Sequence, residues 1–245
     1  MSDIILFGLI GLVTSFLSNI SGGGGALILL PTLIKFGLSP LDAIGTIKIG
    51  TLGLVAGSAF STRSKNVVRH DHLVPMLVIV AIASIVGSFA ALQLDNPTVK
   101  IISSTFIILT AIASLISWKF ATRARVVPSW SKYTGYGLYF LTTTMLAGFG
   151  SGIGLLSNYI IIGFLGMSAI ETLSTRRLAG LVGTPIQLVL FVGSGHVDIS
   201  TGLALMVGSA IGGYYGLNLA INKGNEFIKR GMAIASIALV ISLFV

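Results

Sequence analysis

Apolar stretches of membrane-crossing length fill most of the chain, separated by short polar or basic turns. Six of them, at 43–61, 73–93, 98–118, 172–193, 199–221 and 226–244, come close to the roughly 20 residues that a helix needs to cross a hydrocarbon core about 30 Å thick. Two further apolar stretches, 4–36 and 133–165, carry glycine clusters: Ser21-Gly22-Gly23-Gly24-Gly25 in the first, and Gly148-Phe149-Gly150-Ser151-Gly152-Ile153-Gly154 in the second. A glycine costs about 1 kcal/mol inside a helix, so such clusters predict breaks. Both stretches read as broken hairpins, either fully crossing or re-entrant. The pattern predicts an all-α polytopic membrane protein.

Basic residues gather in three turns: Arg63, Lys65 and Arg69; Lys119, Arg123, Arg125 and Lys132; and Lys223, Lys229 and Arg230. Loops rich in Lys and Arg stay on the cytoplasmic side. The turns 94–97, with Asp95, and 194–198, with His196 and Asp198, then lie outside. Residue 42 is therefore outside, whereas 133 and 171 are both inside, so the chain between the latter two leaves and returns as a hairpin. If 4–36 also doubles back, the N-terminus is outside, which the acidic Asp3 and the lack of nearby basic residues fit.

The two halves align in one continuous register: Gly23 with Gly152, Gly25 with Gly154, Gly37 with Gly166, Ser39 with Ser168, Asp42 with Glu171, Thr46 with Thr175 and Lys48 with Arg177. Entering from opposite sides, the halves read as inverted repeats: 1–120 as the first, 121–132 as a cytoplasmic basic linker and 133–245 as the second. Each repeat is a broken hairpin followed by three helices. Secondary transporters build midplane sites and alternating access from this arrangement.

Composition narrows the classes further. With 54% hydrophobic and 9% charged residues and a mean hydropathy of +0.99, the solvent is a bilayer, and the expected location is the inner (plasma) membrane. The net charge of +8 would suggest nucleic acid in a soluble protein, but here it sits in topology-setting loops and no nucleic-acid partner is expected. With no cysteine, and with His70 and His72 read as part of a solvated basic loop and His196 as part of a short turn, neither a metal nor a cofactor is expected. The first residues lack the basic segment of a signal peptide. Trp118, Trp130, Tyr133, Tyr136 and Tyr139 flank the central basic loop as interfacial anchors.

The stretch from Leu17 to Thr46, with its four glycines, Pro31 and Leu38-Ser39-Pro40 before Ala43 and Thr46, resembles the repeated signature of the TauE/SafE sulfite exporters, a family of bacterial and archaeal anion permeases with duplicated halves. The second copy departs from it: Ile153 replaces a glycine, Ile160 stands in the place of Pro31, and Ala169 in that of Pro40. The resemblance covers essentially the whole chain and implies a transporter of sulfite, sulfonates or related sulfur-containing anions.

The residues themselves also point to an anion. A cation at bilayer depth costs several kcal/mol unless paired, hydrated or used. Lys48 lies within the apolar run Ala43 to Phe60, and Arg177 is its equivalent, with Arg176 alongside. Helix starts beside Gly22, Gly23, Gly24, Gly25, Gly150, Gly152 and Gly154 would offer free N–H groups and the positive end of a macrodipole. Asn19, Ser21, Thr46, Ser151, Asn158 and Thr175, with Gln187 second to them, could add hydrogen bonds. An arginine grips two oxygens of a sulfite or sulfonate at once. Each of these residues also has a plainer reading: glycines serve helix packing, Lys48 snorkels outward, and Arg176 or Arg177 anchors topology. Pro185 kinks its helix or frees carbonyls towards a cavity. The glycines at 208, 212, 213 and 216 offer a face for a homodimer.

Three functional classes follow. A secondary transporter of small anions accounts for the halves and the buried cations; an anion channel could use the same broken helices. An intramembrane enzyme needs paired acids, a Ser/His arrangement or a metal motif, and the chain has none of these, nor a Walker A loop.

Overall fold

The computed structural model describes residues 2–23, 25–61, 66–117, 124–150 and 153–241. Among these the chain forms helices and no strands: α1 (Ser2–Ile20), α2 (Ala26–Lys35), α3 (Pro40–Phe60), α4 (His70–Leu92), α5 (Asn96–Ser117), α6 (Ser129–Phe149), α7 (Ile153–Ile160), α8 (Ala169–Gly193), α9 (Ile199–Lys223) and α10 (Asn225–Ile241). A π-helical turn, Ile161–Leu165, continues α7. Four helices among the described residues are long and apolar enough to cross a membrane: Asp3–Ile20, Pro40–Phe60, His70–Leu92 and Ile199–Lys223. A fifth crossing is reached if Ile153–Leu165 and Ala169–Gly193, bent by 118°, are counted as one broken span. Apolar side chains such as Ile5, Leu9, Val78, Phe89, Val207 and Ile211 stand exposed on these helices, as lipid-facing surfaces require.

The glycine clusters break the chain as their composition dictates. Gly22 (φ 66°) and Gly23 (φ 118°) end α1, and Gly150 (φ 82°) ends α6, conformations that a Cβ disfavours. The ten residues of α2 rise only about 15 Å, half the hydrocarbon thickness. The arms after the breaks end at Gly37 (φ 97°) and Gly166 (φ 70°).

Local contacts recur at equivalent positions of the two halves. Ser39 caps α3 by accepting from the Asp42 N–H, and Ser168 caps α8 by accepting from the Glu171 N–H. Leu41 N donates to Asn96 Oδ1 at 3.0 Å and Ile170 N to Asn225 Oδ1 at 2.9 Å, satisfying donors that a helix start leaves unpaired. Thr46 Oγ1 accepts from Asp198 N at 2.9 Å, and Thr175 Oγ1 from Arg69 N at 3.1 Å.

Two layers of three helices result, each drawn from both halves. In one, α9 lies between α1 and α3. Backbone at Gly8, Leu12 and Phe16 of α1 meets Gly208, Gly212 and Gly216, while Met206 and Ala210 of α9 meet Gly53 and Gly57 of α3. In the other, α4 lies between α6 and α8: Gly87 meets Thr144, and Gly183 meets Val80 and Ser84. The glycine face of α9 is therefore filled from within the chain, with Gly213 against Leu54. This corrects the expectation that it is available for a homodimer. Pro185 is also accommodated without a break, since α8 runs continuously from Ala169 to Gly193.

Candidate functional site

A cavity of about 140 Å³ lies between the two layers, beside the hairpin breaks. Lys48 and Thr51 reach it from α3, Arg176, Arg177, Thr184 and Gln187 from α8, Tyr139 and Thr143 from α6, and Ser18 from α1. Gly23, Gly150 and Gly154 complete the wall where the hairpins break. Three cations thus meet in one space, and among the described residues no carboxylate lines it. Its volume suits a small ion with a few waters and falls below the roughly 300–1,000 Å³ that larger ligands occupy.

Each cation is held by the end of a broken helix. Lys48, only 4% exposed, donates to the Leu146 carbonyl at 3.2 Å near the C-terminus of α6. Its ammonium also lies 5.8 Å from the Phe191 ring centroid, where the π face attracts a cation. Arg177 donates through Nε to Asn19 Oδ1 at 2.8 Å and through Nη2 to Ser18 Oγ at 3.0 Å and Ser18 O at 3.3 Å, at the C-terminus of α1. A helix C-terminus carries partial negative charge, so the cations offset it there. Arg176 donates through Nη1 to Gly154 O at 2.9 Å and to Asn158 Oδ1. Asn158 in turn donates to Gly22 O, so one guanidinium ties the two hairpin breaks together. These partners are carbonyl, amide or hydroxyl oxygens, which leave the positive charge un-neutralised. Gln187 Nε2 donates to Ser84 Oγ at 2.8 Å, fixing the amide at the wall.

The remaining sequence candidates take other places. Asn19, wholly buried, holds Arg177 while its Nδ2 donates to Gly213 O at 2.7 Å and Ser58 Oγ at 3.0 Å, so it positions a cation from outside the cavity. Ser21 donates to Leu17 O at 2.5 Å. Gly22 supplies the carbonyl for Asn158, and Gly25 packs where a Cβ would strike Thr14 and Ser18. Thr46 and Thr175 receive backbone N–H groups at the starts of α9 and α4 and do not reach the cavity. Gly24, Ser151 and Gly152 lie outside the described residues.

Tyr139 and Thr143 were not among the sequence candidates. Tyr139 is 2% exposed and its hydroxyl lies beside Arg176, while Thr143 Oγ1 is buried near that hydroxyl without a well-formed hydrogen bond. Their four-residue spacing puts both on one face of α6. His72 is likewise not in a solvated loop: it is buried in the first turn of α4, with Nδ1 2.6 Å from the Tyr136 hydroxyl. Tyr136 is accordingly a half-buried partner of His72.

Outside the spans, charge pairs mark both ends. Arg69 meets Asp71 at 2.8 Å and Glu171 at 3.5 Å; its hydrogen bond to Asp71 raises its affinity for the proton further. At the opposite end His196 Nδ1 lies 2.8 Å from Asp42 Oδ1. Burial works to raise the Asp198 pKa, but hydrogen bonds from Thr201 and Ser200 outweigh it and hold the carboxyl below its ordinary value. Among the described residues no group of three His, Cys, Asp or Glu side chains is arranged to hold a metal ion.

A chain of glycine-broken membrane helices enclosing a basic cavity defines a polytopic membrane protein of the transporter class. Its sequence matches the profile of the family described as sulfite exporter TauE/SafE over residues 7–243, and the chain belongs to that family. It is similar to a probable membrane transporter protein of Haemophilus influenzae, 24% identical over 93% of this chain and 89% of that protein. The probable membrane transporter protein ORF9 of Sinorhizobium is 26% identical over 94% of this chain and 88% of its own length. The probable membrane transporter protein YfcA of Escherichia coli K12 is 23% identical over 93% and 84%. No solved structure gives a significant match. The protein is a multi-pass membrane transporter.

Proposed function

We propose that the chain is a secondary transporter of small sulfur-containing anions, sulfite or an organosulfonate, at the inner membrane. The observation that carries this reading is the convergence of Lys48, Arg176 and Arg177 on one cavity that, among the described residues, no carboxylate lines. A cation-selective site would need acidic or carbonyl oxygens facing the ligand, whereas here the carbonyls of Leu146, Ser18 and Gly154 are turned to the cations. An anion entering the cavity supplies the missing negative charge. Two arginines suit an oxyanion that presents several oxygens, and the lysine adds a point charge.

Alternating access is the mechanism that the arrangement supports best. The contacts that recur in both halves fit inverted repeats, and the layers draw helices from both halves. Rocking of one layer against the other would expose the cavity to each side in turn.

The test is a thermal-shift titration of detergent-solubilised protein with sulfite, sulfate, thiosulfate, taurine and other sulfonates, repeated with Lys48→Ala and Arg177→Ala. A ligand that favours the folded state raises the melting temperature with its concentration. Stabilisation of the wild type by one sulfur oxyanion, lost in both variants, supports site and substrate class together. Stabilisation that survives both substitutions would show that the anion binds elsewhere. In flux measurements saturation distinguishes this transporter from the alternative, an anion channel.

A further inference from the structure

A second basic cavity, of about 230 Å³, lies between the segment 124–128 and the first turns of α4 and α6. Arg69, Arg125 and Lys132 line it, the nearly buried His72 and the apolar Leu165 contribute to its wall, and among the described residues no carboxylate does. Arg69 is engaged by Asp71 and Glu171. Arg125 is fixed at two points, donating from its backbone N to Gly166 O at 2.8 Å and from Nη2 to Gly163 O at 2.6 Å. Lys132 is exposed in the first turn of α6 and forms no ion pair among the described residues.

Loops that merely set topology need positive charge, but they need neither a cavity nor a guanidinium held in position. Val126, in the cavity wall, is fully exposed, and the start of α6, which carries Lys132, also presents Trp130 (67% exposed) and Tyr133 (77%). Aromatic side chains of this kind sit at the headgroup level of a bilayer. The positive-inside reading puts this face on the cytoplasmic leaflet, where anionic lipids lie. We propose that the cavity binds the phosphate group of an anionic phospholipid, with Arg125 and Lys132 on the headgroup and the Val126–Trp130–Tyr133 rim beside its acyl chains. A free phosphate ion would use the same cations and leave the apolar rim without a role. Because Arg125 also bonds the turn that ends the second hairpin, an occupied site would brace that hairpin.

The experiment titrates the purified full chain with a short-chain phosphatidylglycerol, a phosphatidylcholine of equal chain length and inorganic phosphate, reading the melting midpoint. Phosphatidylglycerol is expected to raise the midpoint, whereas phosphatidylcholine and inorganic phosphate leave it unchanged. Lys132→Gln moves the titration to about fivefold higher phosphatidylglycerol, as loss of about 1 kcal/mol for one basic residue at a membrane surface requires. Lys132→Arg restores the response, and Lys229→Gln, in another basic loop, leaves it as in the wild type. An unchanged response in Lys132→Gln, an equal response to phosphatidylcholine, or equal weakening by Lys229→Gln overturns the site. Stabilisation by inorganic phosphate overturns the assignment to a lipid.

Discussion

Replacing Gly208 by alanine tests how the layers are built. A Cβ at that position would sit 2.8 Å from Gly8 C and 2.9 Å from Leu12 N, and closer still to Gly8 O. Carbon atoms rest about 3.5–4.0 Å apart, so α1 must withdraw by roughly 1 Å. The obstructing atoms are backbone, so no rotamer change relieves the overlap. Overpacking of this kind costs about 1–3 kcal/mol. Gly137, within α6, has nothing within 4 Å of the same added atom, and alanine there should gain about 0.5–1 kcal/mol through lower chain entropy. For a chain of this length 1 kcal/mol moves the melting temperature by about 2–4 °C. Gly208→Ala is therefore expected to melt at least about 3 °C below Gly137→Ala in the same detergent. Because α1 carries Ser18 and Asn19, which hold Arg177, the Gly208 variant should also bind anion more weakly. Equal melting temperatures, or a changed oligomeric state with unchanged stability, would refute the intrachain packing of α1 on α9.

Other substitutions probe single contacts. Thr46→Val and Thr175→Val each strand a backbone N–H, of Asp198 and Arg69 respectively; each should cost about 1–3 kcal/mol in thermal melts, and a negligible cost would show that water replaces the hydroxyl. Glu171→Gln keeps a side chain able to cap α8 but removes the charge opposite Arg69, a pair 3.5 Å apart and partly exposed. It should change stability by less than about 1 kcal/mol, an effect that salt abolishes; a larger, salt-independent loss would contradict the surface assignment. Asp198 has a folded pKa below the ordinary value of 3.8, so its contribution is fully present above that pH and is lost as pH falls through the folded value. Acid titrations of Asp198→Asn should show a shallower loss of stability below pH of about 4, and an unchanged acid limb would contradict this.

Much of the architecture is legible in the sequence because a bilayer imposes few choices. The long helices α3, α4, α8 and α9 begin within three residues of the predicted crossings, and their extra turns come from caps such as Ser39 and Ser168. The depth of the hairpins is not legible, since a glycine cluster marks a break without giving the length of the arm beyond it. Lys48, Arg176 and Arg177 can be singled out from the cost of placing cations in an apolar run, and the structure brings them to one cavity. The equivalence of Thr46 and Thr175 in the two halves has a physical counterpart of another kind, since both hold helix starts. Tyr139 escapes detection because it continues a row with Tyr133 and Tyr136 that resembles an interfacial belt; only the packing of α6 reveals its depth. The glycines of α9 show that a close neighbour exists, and spacing alone does not distinguish α1 from a second chain.

The most direct test of an anion-transport site is flux into liposomes containing the purified protein, measured for sulfite and for an organosulfonate, in the wild type and in Lys48→Met, Arg176→Met and Arg177→Met variants whose folding is checked by melting. The account predicts saturable anion flux in the wild type and a loss of at least about tenfold in each variant, the equivalent of one charge-assisted hydrogen bond of about 1.5–3 kcal/mol. Full anion flux in all three variants, or transport of a cation in place of any anion, would contradict it.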